Sequence, residues 1–268
     1  TRRKIKESLT LVDMSLEIID ARIPVSSRNP ELDMLVGTKP RAVILNKCDM
    51  ADEAATRRWI QLFERQGTPA IAVDSKTGKG FTQFLPLVRS VLAEKISAWE
   101  SKGMKNRPIR VMVVGIPNVG KSSFINRVAK GGKAKVEDRP GVTRNNQWFT
   151  VEAGVHLLDT PGILWPKFED QTVARHLAYT GAIRDQILDC EDLACGLLEL
   201  LWTDYQEFLR ARYKIPADLP QDGWELLQAI GRKRGMLVSG GAVNTERAAI
   251  MVLDEFRGTK IGRITLEK

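Results

Sequence analysis

The sequence predicts an α/β fold: a mostly parallel sheet with helices on both faces over residues 1–170, followed by a smaller all-α region over residues 171–268. Three observations predict it. Short apolar, β-branched runs alternate with helical-period segments in the first part, the pattern of parallel strands joined by crossover helices. One run leads into Gly115-x4-Gly120-Lys121-Ser122, a glycine loop that opens a helix. From about Gln171 the strand patterns stop, and apolar residues recur at helical spacing, as in Leu193, Leu197, Leu198, Leu201 and Trp202.

The elements follow in order. Residues 16–19 (LEII) form a buried strand that ends in Asp20-Ala21-Arg22, a functional loop. Residues 42–45 (AVIL) repeat the pattern directly before Asn46, and residues 70–73 (AIAV) repeat it before Asp74-Ser75-Lys76-Thr77-Gly78. Between them, residues 52–66 have an acidic start, Trp59, Leu62 and Phe63 at helical spacing, and a stop at Gly67. One helix is expected over residues 81–99, with a polar linker at 100–108. Residues 109–114 are the strand that feeds the glycine loop, and residues 122–128 are the helix after it. Residues 147–152 and 155–158 read as a hairpin around Ala153-Gly154. Parallel strands gather their binding loops at the carboxyl ends.

Composition narrows the class. The 268 residues are 43% hydrophobic, enough for a real core, and no run approaches the roughly 18–20 apolar residues of a membrane span. A soluble protein without a membrane partner is expected. The charged start, residues 1–6, lacks the apolar stretch of a secretory signal. Cys48, Cys190 and Cys195 cannot all pair and have no metal-like neighbours in sequence, which suits reduced thiols in the cytoplasm. Net charge is +8. Residues 1–174 carry 28 Lys+Arg against 19 Asp+Glu, whereas residues 175–268 carry 13 against 14. The excess therefore lies in the first region, in Lys102, Lys105, Arg107 and Arg110, and again in Arg127, Lys130, Lys133, Lys135, Arg139 and Arg144. A polyanionic partner and a solvated basic face both fit such clusters.

The motifs carry the chemistry. In the glycine loop, successive N–H groups of Asn118, Val119, Gly120, Lys121, Ser122 and Ser123 can face phosphate oxygens at a helix N-terminus. Lys121 would bridge the outer phosphates and Ser122 would ligate Mg²⁺. In Asn46-Lys47-Cys48-Asp49, the Asp49 carboxylate can accept from both N1–H and N2–H₂ of guanine, Lys47 can lie along the base, and Asn46 can tie the loop to neighbouring backbone. Four residues are a weak signal alone, with a simple turn as the alternative, but beside a phosphate loop they favour GTP over ATP. Ser75-Lys76 fits a companion loop under the base, or a simple glycine turn. Thr143 would complete the Mg²⁺ shell, Asp159 would hold it through water, and the Gly162 N–H would sense the γ-phosphate.

Many GTPases have a water-orienting glutamine after that glycine; here Ile163 stands there and cannot position water. Asn118 could recruit K⁺ beside the phosphates, which gives a catalytic set of Lys121, Asn118, Thr143 and Gly162. The guanine motif precedes the phosphate loop, the reverse of the ordinary order. The chain is read as a circularly permuted P-loop GTPase.

The permuted order, together with Asp20-Ala21-Arg22, Ser26-Ser27-Arg28-Asn29-Pro30, the 115–123 loop GIPNVGKSS, Pro140-Gly141-Val142-Thr143 and Asp159-Thr160-Pro161-Gly162-Ile163, closely resembles the ribosome biogenesis GTPase A (YlqF-type) family over essentially the whole chain. The resemblance implies a cytoplasmic bacterial GTPase acting late in large ribosomal subunit assembly. It also implies contact with rRNA and ribosomal proteins, the helical region included, and low intrinsic activity stimulated by the subunit. K⁺ dependence through the asparagine at Asn118 and an aliphatic residue at Ile163 belong to the same pattern. A monomer is expected. The family has an upstream Gly-His-Met segment whose histidine is implicated in catalysis; this sequence starts after it, so the water-positioning group has no assigned residue. A nucleotide-gated RNA- or protein-binding module with negligible hydrolysis is the alternative.

Overall fold

In the computed structural model of the chain, the described residues are 2–104, 106–130, 136–137, 147–151, 154–160, 162, 170–183 and 189–268. Internal packing divides the chain into two units: Thr1–Lys167 together with Glu267–Lys268, and Phe168–Leu266.

The first unit runs α1 (Arg2–Thr10), β1 (Met14–Asp20), α2 (Pro30–Val36), β2 (Arg41–Asn46), α3 (Glu53–Arg65), β3 (Ala70–Val73), a 3₁₀ turn (Phe81–Gln83), α4 (Phe84–Val91), α5 (Ala93–Ser101), β4 (Ile109–Val114), α6 (Lys121–Lys130), β5 (Val136–Glu137), β6 (Gln147–Val151) and β7 (Val155–Asp159). The strands form one sheet in the order β3-β2-β1-β4-β7-β6-β5. The pairs among β3, β2, β1, β4 and β7 are parallel, and β6 is antiparallel to both β7 and β5. The expected hairpin is β6–β7, with Gly154 in the left-handed region at φ 76°.

Strand periodicity assigns the two faces. Registers Ile19↔Leu45, Glu17↔Val114, Met112↔Leu158 and Trp148↔Leu158 place these residues on one face. There Ile5, Leu9, Leu32 and Val36 of α1 and α2 pack with Met112, Val114, Trp148 and Leu158, while Phe63 of α3 packs with Ile19, Val43 and Leu45. On the opposite face α4 and α6 meet through Phe84 and Phe124, whose rings lie edge to face with centroids 5.4 Å apart.

The expected helix 81–99 is interrupted. Leu92 leaves helical geometry (φ −107°, ψ 14°) and is buried at 1% exposure, so the apolar face of α4 ends there and α5 restarts with no buried residue. α3 matches its signals, with the Asp52 carboxylate accepting from Ala55 N–H at 2.6 Å and Arg65 in the last turn.

The second unit contains α7 (Gln171–Tyr179), α8 (Cys190–Asp204), α9 (Gln206–Tyr213), α10 (Gly223–Lys233) and α11 (Thr245–Arg257). Among its described residues the extended pairing is a single antiparallel bridge, Leu237↔Val243. Four of the helices begin on side-chain caps, Asp170, Asp189, Asp222 and Asn244, each accepting from the first turn. Leu193, Leu197, Leu198 and Leu201 of α8 are buried, as are Leu226, Leu227 and Ile230 of α10 and Val252 and Leu253 of α11. Gly223 permits the close approach of α10 to α8: a Cβ there would lie 2.4 Å from the Cys195 carbonyl oxygen. Among the described residues no helix is long and apolar enough to cross a membrane, and none of the three cysteines forms a disulfide.

Candidate nucleotide-binding site

Because β1, β2, β3, β4 and β7 run parallel, their carboxyl ends carry Asp20, Asn46, Asp74, Gly115 and Asp159 to one rim of the sheet. The loops far apart in sequence are neighbours there.

The glycine loop is shaped by its backbone. Gly115 has φ 152°, Asn118 62° and Gly120 93°, and a Cβ at Gly115 would sit 2.5 Å from the Ile18 carbonyl oxygen. Gly120 is equally constrained, since its Cβ would strike the Asn46 side-chain nitrogen at 2.3 Å. α6 starts at Lys121, so its first N–H groups open onto the loop. Ser122 and Ser123 are exposed in that first turn, Val119 is buried, and Asn118 is exposed on the loop.

Asn46 joins three segments. Its Nδ2 donates to the Val119 carbonyl at 2.8 Å, and its Oδ1 accepts from the Ser75 hydroxyl at 2.8 Å. Lys47, at φ 60°, donates from Nζ to the Asn118 carbonyl at 2.7 Å and to Asp20 Oδ2 at 2.9 Å. Thus the motif upstream in sequence and the glycine loop are directly bonded. The half-buried Asp49 carboxylate lies close enough to Arg22 to help hold its guanidinium charged. Asp74 shapes the third loop by accepting from the N–H groups of Lys76 at 2.8 Å and Thr77 at 3.2 Å, and Arg127 of α6 donates to the Lys76 carbonyl at 3.2 Å.

Asp20 is the hub of this rim. Arg22 donates to it from Nε at 2.9 Å and from a terminal nitrogen at 2.7 Å, a bidentate pair with both side chains 3% exposed. Burial alone would raise the Asp20 pKa, but Arg22 and Lys47 outweigh it and hold the carboxyl well below its ordinary range. From sequence, Asp20-Ala21-Arg22 is a functional loop and a family motif; its place beside Lys47 depends on the Asp20↔Asn46 register. Opposite charges at the end of an apolar strand were the available signal.

Lys121 folds over the loop, donating from Nζ to the carbonyls of Gly115 at 3.0 Å and Ile116 at 2.8 Å. Burial pushes its amine below the ordinary range, with Asp159 pulling it back, and burial pushes Asp159 above the ordinary carboxylate range against the pull of Lys121. Asp159 Oδ1 is buried with no hydrogen-bond partner among the described residues. Gly162 closes this end: a Cβ there would lie 2.9 Å from Lys121 Nζ and 3.0 Å from the Pro117 nitrogen. Among the described residues no group of three His, Cys, Asp or Glu side chains could hold a metal ion by itself. An orphaned carboxylate oxygen on the rim that carries the Ser122 hydroxyl fits a Mg²⁺ whose other ligands are water and phosphate. Thr143, Ile163 and the basic residues Lys133, Lys135, Arg139 and Arg144 lie outside the described residues.

The comparisons with known proteins agree with this geometry. A family model described as 50S ribosome-binding GTPase matches residues 110–216. That match begins at the strand feeding the glycine loop, so Asn46–Asp49 falls upstream of it, as permutation requires. The chain is 48% identical over 267 residues to ribosome biogenesis GTPase A of Priestia megaterium, covering 99% of this chain and 92% of the relative. It is 46% identical over 266 residues to the Bacillus cereus protein of the same name, covering 99% and 90%. Among solved structures it is similar to GNP-bound YlqF from Thermotoga maritima, at 29% identity and TM-score 0.65, covering 100% of this chain and 97% of that one. The sheet whose loops Asn46 ties together is thus that of a P-loop GTPase, and the chain belongs to the ribosome biogenesis GTPase A family of GTP-hydrolysing proteins.

Proposed function

We propose that the chain is a GTP-driven assembly factor for the large ribosomal subunit, acting late in its maturation as a cytoplasmic monomer. The observation that supports it most is the bonding of Asn46 and Lys47 to the glycine loop, which makes one guanine-nucleotide site from segments of reversed order. In this reading Asp49 selects guanine, Ser75 and Lys76 support the base, and Lys121 moves from the Gly115 and Ile116 carbonyls to the outer phosphates. The N–H groups from Asn118 to Ser123 surround the phosphates. Ser122, Thr143 and Asp159 hold Mg²⁺, which supplies charge neutralisation at the phosphates. Gly162, packed on Lys121, senses the γ-phosphate, and the exposed Asn118 amide recruits K⁺ near the same group. The net positive charge of +8 suits contact with rRNA, and the helical unit supplies part of the ribosome-contacting surface.

Sedimentation with immature large subunits tests the reading. Association with a GTP analogue but not with GDP is expected, along with GTP turnover that rises when subunits are added and is faster in K⁺ than in Na⁺. Equal association in both nucleotide states contradicts the switch. Turnover that no subunit or cation stimulates favours a nucleotide-gated binding module instead.

A further inference from the structure

The loop between β1 and α2 is bonded to Asp20, the partner of Lys47, yet part of what holds it comes from Glu267, more than two hundred residues away in sequence. Within the loop, Ser27 N–H donates to the Ile23 carbonyl at 2.9 Å and Arg28 N–H to the Val25 carbonyl at 3.0 Å. The two preceding donors, Val25 N–H and Ser26 N–H, turn instead to the Glu267 carboxylate, the latter at 3.0 Å from Oε1, and the Ser26 hydroxyl donates to the same oxygen. Successive N–H groups facing one carboxylate make a small anion cradle. Glu267 is itself fixed by its carbonyl, which accepts from Trp59 Nε1 of α3 at 2.7 Å. Packing accordingly groups Glu267 with the sheet unit.

From that cradle a continuous set of bonds reaches the nucleotide loops. Ser27, fully buried beside Ser26, accepts from Asp20 N–H at 2.9 Å through its hydroxyl oxygen. Asp20 then holds Arg22 and Lys47, and Lys47 holds the Asn118 carbonyl of the glycine loop. We propose that Glu267 is a positioning residue of the guanine-nucleotide site, fixing the 21–29 loop so that Asp20 presents Lys47 to the base.

This rests on guanine nucleotide occupying the site beside Lys47. The network reaches the site through Lys47, whose other bond is to the Asn118 backbone carbonyl and not to the side-chain amide assigned to K⁺, and it does not touch Lys121 or Gly162, so loosening it is read in nucleotide binding and not in the chemical step. Global destabilisation would do the reverse, lowering the active fraction and apparent kcat at constant KM.

The test is steady-state GTP hydrolysis and fluorescent-GDP affinity for the unsubstituted chain, Glu267→Ala and Glu267→Gln. Glu267→Ala should raise KM for GTP and the GDP dissociation constant by about 3- to 10-fold with kcat unchanged, the scale of coupling carried through packed networks. Glu267→Gln, which keeps one acceptor oxygen, should fall between the two. Unchanged KM and GDP affinity in Glu267→Ala overturns the proposal, and so does a fall in kcat at constant KM. An unsubstituted chain that binds no guanine nucleotide would instead defeat the placement of the site itself.

Discussion

The ionic groups of the sheet rim and those of the helical unit are arranged to different ends. In the helical unit Glu255 is closed upon by two arginines, Arg212 through Nε at 2.8 Å and Arg234 at 3.6 Å, and hydrogen bonding to Arg212 holds its carboxyl below the ordinary range despite burial. The Glu255 carboxylate is thus answered by charges of its own unit. On the rim, Asp159 keeps a buried oxygen without a hydrogen-bond partner among the described residues, its pKa is pushed up, and Lys121 spends its donors on loop carbonyls. Buried charge left short of partners is costly unless something else completes it. The partner that Asp159 lacks is one a bound ligand can supply, whereas the Glu255 charge is answered within its own fold.

Asp20 complicates this division, because it sits on the rim yet is fully matched, and it gives the largest expected effect. Asp20→Asn leaves the Arg22 guanidinium buried without its counter-charge, which should cost about 3–5 kcal/mol in denaturant unfolding. Since the folded Asp20 pKa lies below its ordinary 3.8, this stability is present above about pH 3.8 and is lost as pH falls through the lower folded value. The gap between the parent and the variant should narrow from pH 5 downwards; a gap independent of pH would refute the pairing as its source. Next is Lys121→Ala, which should weaken triphosphate affinity by about 100-fold, the order of a charged contact to phosphate, with the melting temperature little changed. A loss of fold instead of affinity would make Lys121 a structural lysine.

Asp159→Asn separates the two kinds of region most sharply. Its raised pKa means the ionised carboxylate costs folding energy increasingly as pH rises above 3.8. Neutralising it should leave stability at neutral pH unchanged or raise it by up to about 1 kcal/mol, while Mg²⁺-dependent nucleotide affinity falls. Lower stability with intact affinity would put Asp159 in the structural class. The smallest effect belongs to Glu255→Gln, which should cost about 1 kcal/mol because both arginines are about one-third exposed and screened by water, with nucleotide affinity unchanged. Calorimetry and nucleotide titration on one sample check both halves.

What the sequence made legible were features with a local cause. The runs before Asn46, Asp74 and Gly115 are apolar and β-branched, so β2, β3 and β4 follow from periodicity, and the spacing of glycines with Lys121 and Ser122 fixes a loop whose shape only certain residues tolerate. The break at Leu92 escaped, because an apolar residue at helical spacing reads the same whether the helix continues or turns to bury it. α1 had no apolar period strong enough to stand out among Arg2, Arg3, Lys4 and Lys6, and it is held by the burial of Ile5 and Leu9 against the sheet. In the site, the bond by which Asn46 ties its loop to neighbouring backbone was readable from motif chemistry. The bonds from Asp20 to Lys47 and from Glu267 to Ser26 were not, because they depend on strand register and on a segment that returns from the far side of the sequence.

The most direct test of the central account, that segments of reversed order form one guanine-specific site, is titration of the parent chain and Asp49→Asn with GDP and with xanthosine diphosphate. In the proposed site the carboxylate of Asp49 would accept from the guanine N2–H₂, whereas an asparagine amide would donate to the xanthine C2 carbonyl. The parent should prefer GDP, and Asp49→Asn should shift the preference towards xanthosine diphosphate by about 100-fold or more with the melting temperature unchanged. Equal preference in the two proteins would contradict the account, since the base would then be read by some other part of the chain.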